Sequence, residues 1–86
     1  MDILGNISDA MGMPAEVVKG ALRTVIIGTE QIYIENYTTL LEYKRENIKL
    51  KFRTGIIEIS GSDFEIRAVS EGNIVIIGKI NAVRFI

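Results

Sequence analysis

The chain has no cysteine and no histidine. These two absences remove disulfide staples, metal sites built on thiolate or imidazole, and nucleophilic mechanisms of the Ser-His-Asp or Cys-His kind. Long apolar runs are missing as well. The longest is the four residues 74–77, far below the ~20 that a membrane-spanning helix needs. The first residues include Asp2 and Asp9 and no basic segment ahead of an apolar stretch, so no secretory signal is expected. A basic excess is also lacking. The net charge of −1 and pI near 5.4 weigh against a general nucleic-acid binder. The glycines form neither G-x-G-x-x-G nor G-x-x-x-x-G-K-[ST], so no phosphate loop is present. The expectation is a cytoplasmic, non-enzymatic protein with no cofactor, no metal and no small-molecule substrate.

What is present fits one globular domain. The chain is 86 residues long, 48% apolar and 24% charged. At that size folding buries roughly 60–65% of the surface of the unfolded chain, enough for a single core. Two regions differ in period. Residues 1–23 read as a helical arm, with Ile3, Leu4, Ile7 and Met11 on one helical stripe. Pro14 suits the first position of a second helical turn, whose apolar side is Val17, Val18, Ala21 and Leu22. Gly5, Gly12 and Gly20 weaken this arm by about 1 kcal/mol each relative to alanine, so it needs something to pack on.

Residues 24–86 read as a β-domain. Alternating β-branched and aromatic runs are separated by turn signals at Gly28-Thr29, Asn36 to Thr38, Lys44 to Glu46, Thr54-Gly55, Gly61-Ser62, Ser70 to Gly72 and Gly78-Lys79. This gives about eight short strands, antiparallel because the connections are only two or three residues long. The expected class is all-β, a small antiparallel sandwich or meander with Gly28, Gly55, Gly61, Gly72 and Gly78 at its turns. Gly28, Arg45, Gly61 and Gly78 also mark a period of 16–17 residues. A meander of similar hairpins explains it, and a solenoid coil is the sharper alternative.

The turns imply registers. A type II′ turn at Gly61-Ser62 sets Ile59 opposite Phe64 and Ile57 opposite Ile66. A turn at Thr54-Gly55 sets Lys51 opposite Glu58, and Glu58 then faces Glu65. A loop at Ser70 to Gly72, with Gly72 left-handed, aligns Ala68 with Ile74 and Ile66 with Ile76.

Three side-chain groups invite a functional reading. Ile74 and Ile76 continue the core face, so Val75 and Ile77, joined by Ile80 and Ala82 beyond the Gly78-Lys79 turn, form a second apolar patch. The helical arm, an opposing sheet or another protomer can cover it, and the sequence leaves all three open. Lys49, Lys51 and Arg53 project from one strand face, either as a solvated face or as a stripe for an anionic lipid surface or acidic partner. Glu58 and Glu65 beside Lys51 and Arg67 read as ordinary charge pairing rather than an acid–base pair. Tyr33, Tyr37 and Tyr43 read as half-buried sheet residues, and Ser60, Ser62 and Asp63 as turn residues with no base to activate them.

The ordered set of motifs carries a resemblance. The chain reads G-x-I-x-I-x-G-x-x-F-x-I from Gly55 to Ile66 and N-I-x-I-x-G-x-I-x-x-V-x-F from Asn73 to Phe85. Upstream stand Ile27-Gly28 and Ile32-Tyr33-Ile34-Glu35-Asn36-Tyr37. Over roughly residues 14–86 this resembles the YabP/YqfC family of sporulation proteins of endospore-forming bacteria, with the Ile32 to Asn36 segment closest to the YqfC branch. Asn73 departs from the acidic residue expected there. The resemblance implies a small all-β domain in a sporulating Gram-positive cell, linked with spore envelope or coat assembly. It brings no catalytic residue. The function expected is structural, through self-association or protein docking. The first alternative is an adaptor at a spore membrane, held peripherally by anionic lipid or a membrane protein. The second is a small ligand-binding domain or hydrolase, which requires a deep polar pocket.

Overall fold

The computed structural model describes residues 20–86, and the helical stripe expected from Ile3, Leu4, Ile7 and Met11 lies outside them. The described residues form one six-stranded sheet. Its strands are β1 (Arg23–Ile27), β2 (Gln31–Glu35), β3 (Tyr37–Tyr43), β4 (Asn47–Phe52), β5 (Gly55–Ser70) and β6 (Asn73–Phe85). The spatial order is β1-β2-β6-β5-β4-β3, and every neighbouring pair is antiparallel. That pairing rules out the parallel rungs of a solenoid for the described residues. No helix among them is long and apolar enough to cross a membrane.

The expected eight short strands become six because two glycine turns do not exist. Gly61-Ser62 and Gly78-Lys79 lie inside β5 and β6, which run through them for 16 and 13 residues. Ile59 accordingly faces Val83 rather than Phe64, and Ile57 faces Phe85 rather than Ile66. The glycines bend the strands instead. A Cβ on Gly61 would collide with the Lys79 carbonyl oxygen. Gly78 has φ +142°, and a Cβ there would sit 2.7 Å from Phe64 Cδ1. Register shifts between Ser60/Gly61 and Ser62/Glu65 mark the same place. Bulges of this kind bend a strand and strengthen its local twist.

The bend folds the sheet onto itself. Residues 73–77 of β6 pair with β2 on one side and residues 65–70 of β5 on the other, and with β1 they make a first leaf. Residues 55–60 of β5 pair with β4 and with residues 82–85 of β6, and with β3 they make a second. Ile32, Ile34, Ile74 and Ile76 of the first leaf and Ile48, Leu50, Ile57 and Ile59 of the second form a single buried cluster. One cluster drawn from both leaves requires their faces to meet, as in a sandwich. Phe64 fills the crease and is itself buried. Each buried aliphatic side chain contributes about 1.5–3 kcal/mol of transfer free energy.

The 16–17-residue period has a structural meaning. The β1–β2 turn docks on the β6 bend, with Gly78 N–H donating to Glu30 O (3.1 Å) and Ile80 N–H to Thr29 O (2.8 Å). The β3–β4 turn docks likewise on the β5 bend, with Gly61 N–H donating to Glu46 O (3.0 Å) and Phe64 N–H to Arg45 O (2.8 Å). Gly28, Arg45, Gly61 and Gly78 thus all mark the crease.

The remaining turns differ in detail from expectation. Phe52 pairs with Gly55, so Arg53-Thr54 is the turn and Lys49, not Lys51, faces Glu58. The loop after β5 is Glu71-Gly72, with Gly72 at φ +78°, and Ile66 faces Ile76 as expected. A bulge between Ile66 and Ala68 moves Ala68 opposite Val75. Asn36 is no hairpin turn: β2 pairs with β6 and β3 with β4, so Asn36 carries the chain from one leaf to the other. It takes φ +71°, its N–H donates to Gly72 O and its Nδ2 to Ala21 O, both 2.7 Å. Asparagine is among the few non-glycine residues that tolerate this conformation.

Candidate functional site

The outer face of the first leaf is apolar at its centre. Ile26 faces core residue Ile32, so Val25 and Ile27 of β1 point outward, as do Tyr33 of β2 and Val75 and Ile77 of β6. Registers place Val25, Tyr33, Val75 and Ala68 in one row across four strands, and Ile27, Gln31, Ile77 and Glu65 in the next. A shallow depression is lined in part by Tyr33, Ala68 and Val75. Val75 and Ile77 are half-buried, and Tyr33 OH donates to Glu35 Oε2 at 3.2 Å.

The structure splits the patch expected from sequence. Val75 and Ile77 share the outer face, but Ile80 packs against the core and Ala82 lies exposed in the second leaf opposite Ser60. The bend at Gly78 and the register shift beside Gly61 reset the alternation of side chains, which a straight reading of period two carries through unbroken. Ile3, Leu4 and Ile7 lie outside the described residues.

The outer face of the second leaf is polar and internally satisfied. Lys49, Glu58 and Arg84 stand in register across β4, β5 and β6. Arg84 Nε donates to Glu58 Oε1 at 3.0 Å, its second guanidinium nitrogen reaches the same oxygen, and Lys49 Nζ lies 3.7 Å from Oε2. Glu58 is 9% exposed. The hydrogen bond from Arg84 holds its carboxyl below the ordinary value, more than burial raises it. Asn47 Nδ2 donates to Glu42 Oε2 at 2.6 Å, and Ser60 Oγ donates to Asn47 Oδ1 at 3.3 Å.

This network alters the reading of the basic stripe. Lys49 is paired with Glu58, which it shares with Arg84; Lys51 is exposed opposite Ile56, and Arg53 sits in the β4–β5 turn. Glu58 and Glu65 do not meet, because Glu65 faces Ile77 in the first leaf. Asp63 takes φ +56° at the crease, and Arg45 donates to it at 3.3 Å. Tyr37 packs against the core, while Tyr43 is exposed and its OH donates to Phe64 O at 3.5 Å.

The sheet also has edges that sequence reasoning did not single out. β1 and β3 are its outermost strands. The pairing of β3 is broken by register shifts between Tyr37/Thr39 and Leu40/Glu42. That of β1 is unbroken, and Ile26 and Ile27 are each 47% exposed. The uncharged run Thr24-Val25-Ile26-Ile27 was the available signal.

Comparison with known proteins matches the sequence of this chain to a family. The chain is 32% identical over 77 residues to the uncharacterized protein YqfC of Bacillus subtilis (strain 168), covering 90% of this chain and 83% of that protein. The model of the YabP family matches residues 19–86, the span of the bent sheet. The chain therefore belongs to the YabP family.

Proposed function

We propose that this chain is a non-enzymatic interaction protein of spore formation that works by surface contact through the outer face of its first leaf. One observation carries the reading: β6 is apolar on both sides between Asn73 and Ile77, with Ile74 and Ile76 in the core and Val75 and Ile77 facing out beside Tyr33 and Val25. A sheet needs one apolar face to fold, and a second apolar face suits contact with a protein. Family membership supports the sporulation context, and assembly of the spore envelope or coat is the setting proposed.

The test is replacement of the chain in a spore-forming host by Val75→Lys and Ile77→Lys variants. The expected result is reduced spore yield with circular dichroism unchanged. Normal spores from the folded double variant refute the reading. Docking to an anionic membrane is a second reading, resting on exposed Lys51 and Arg53. It predicts salt-sensitive flotation with anionic vesicles that Lys51→Glu with Arg53→Glu abolishes.

A further inference from the structure

We infer that β1 is a self-pairing edge, through which two copies of this chain join their first leaves into one continuous sheet. The inference deepens the proposed use of that face, since the joint lengthens its apolar row. Among the described residues, nothing pairs with the outer edge of β1.

Edge strands present unpaired N–H and C=O groups, and soluble proteins guard them with lysines, prolines, bulges or short length. β3 has two such irregularities. β1 is short, at five residues, but carries no lysine, proline or bulge between Thr24 and Ile27: the run is uncharged, β-branched, in regular register and exposed at Ile26 and Ile27. Such a strand is a template for another strand.

Two features select a second copy as the occupant. First, the strand is complementary to itself. A two-fold antiparallel pairing centred on Ile26 sets Ile26 against the second copy's Ile26 and Val25 against its Ile27. The exposed apolar residues then cover one another, and an isologous contact of this kind closes after two copies. The outer row Val75, Tyr33, Val25 continues into the second copy's Ile27 without a polar break. Second, the charges at the strand ends agree. Arg23 precedes the run and exposed Glu30 follows it. The antiparallel direction brings each Arg23 to the end of the joint where the other copy's β1–β2 turn carries exposed Glu30. Arg23 already lies 3.5 Å from its own Glu35, and a guanidinium with five donors accommodates a second carboxylate. A parallel pairing would instead set Arg23 beside Arg23.

Sedimentation equilibrium of the full chain tests this, together with cysteine cross-linking, which the cysteine-free sequence makes clean. The wild type is expected to dimerise in the micromolar range, and Ile26→Lys to weaken the dimer at least tenfold. Ile26→Cys is expected to form a disulfide dimer under mild oxidation, because directly opposed strand residues have the Cα spacing a disulfide needs. Leu41→Cys on the β3 edge is expected to form no disulfide dimer. A monomeric wild type at high micromolar concentration overturns the proposal. So does equal cross-linking of both variants, or hydrogen-exchange protection of the outward β1 amides in a monomer, which would assign that edge to residues 1–19. If the wild type is a monomer and Val75→Lys with Ile77→Lys still lowers spore yield, the dimer falls and the face reading stands.

Discussion

Replacing Gly78 by alanine tests the crease directly. At φ +142° an alanine occupies a region that L-residues avoid, at a cost of about 1–3 kcal/mol. Its Cβ would also lie 2.7 Å from Phe64 Cδ1, 2.8 Å from Asp63 O and 2.9 Å from Phe64 Cα. Two of those three atoms are backbone, so relief requires the strands to part, and overpacking of this kind adds about 1–3 kcal/mol. The sum is about 2–6 kcal/mol, set against the ~4–13 kcal/mol available to a domain of this length. Gly28 supplies the control. Its φ is +59° and nothing lies within 4 Å of a Cβ there, so Gly28→Ala bears only the left-handed strain of about 1–2 kcal/mol. Urea unfolding followed by circular dichroism should place the Gly78→Ala midpoint well below that of Gly28→Ala. Equal midpoints refute the reasoning, because the strands would then not be pressed together where the sheet folds.

Three further outcomes follow from the same geometry. Glu58 has a lowered native carboxyl, so its contribution is fully present above its unfolded value near 4.5 and is lost as pH falls through the native value; a plot of denaturation midpoint against pH should therefore fall less steeply below about 4.5 in Glu58→Gln than in the wild type. Ile76→Ala, which opens the closed cluster, should cost about 2–5 kcal/mol, while Ile86→Ala at the exposed C-terminus should change stability by about 0.5 kcal/mol or less, both read by urea titration. At Asn36, glycine keeps the positive φ but loses the Nδ2 bond to Ala21 O, whereas alanine loses both; thermal melts should rank wild type above Asn36→Gly and Asn36→Gly above Asn36→Ala.

Local signals were legible in this sequence wherever neighbours decide the outcome. Alternation placed Ile57, Ile59, Phe64, Ile74 and Ile76 on the core face, and all five belong to the buried cluster; the Gly72 turn was read with its conformation. Gly61 and Gly78 were recognised as special and misjudged in kind. A glycine that turns a hairpin and one that lets two strands cross closely look alike in one dimension, and only the carbonyl of Lys79 and the ring of Phe64 distinguish them. That error put Ile80 in a surface patch, whereas it packs against the core. The Glu58–Arg84 pair was invisible for a related reason, being 26 residues apart and joined only by the β5–β6 register.

The sequence by itself determined an antiparallel β-domain, its aliphatic core face, its lack of thiol and imidazole chemistry, and the spacing that returns to the crease every 16–17 residues. Tertiary structure alone decided that the sheet folds across glycines inside two long strands, which outer residues share a face, and which strands are outermost among the described residues. The physical reason is range: alternation and turn preference act between residues close along the chain, whereas the face a side chain reaches after a bend depends on how distant strands meet.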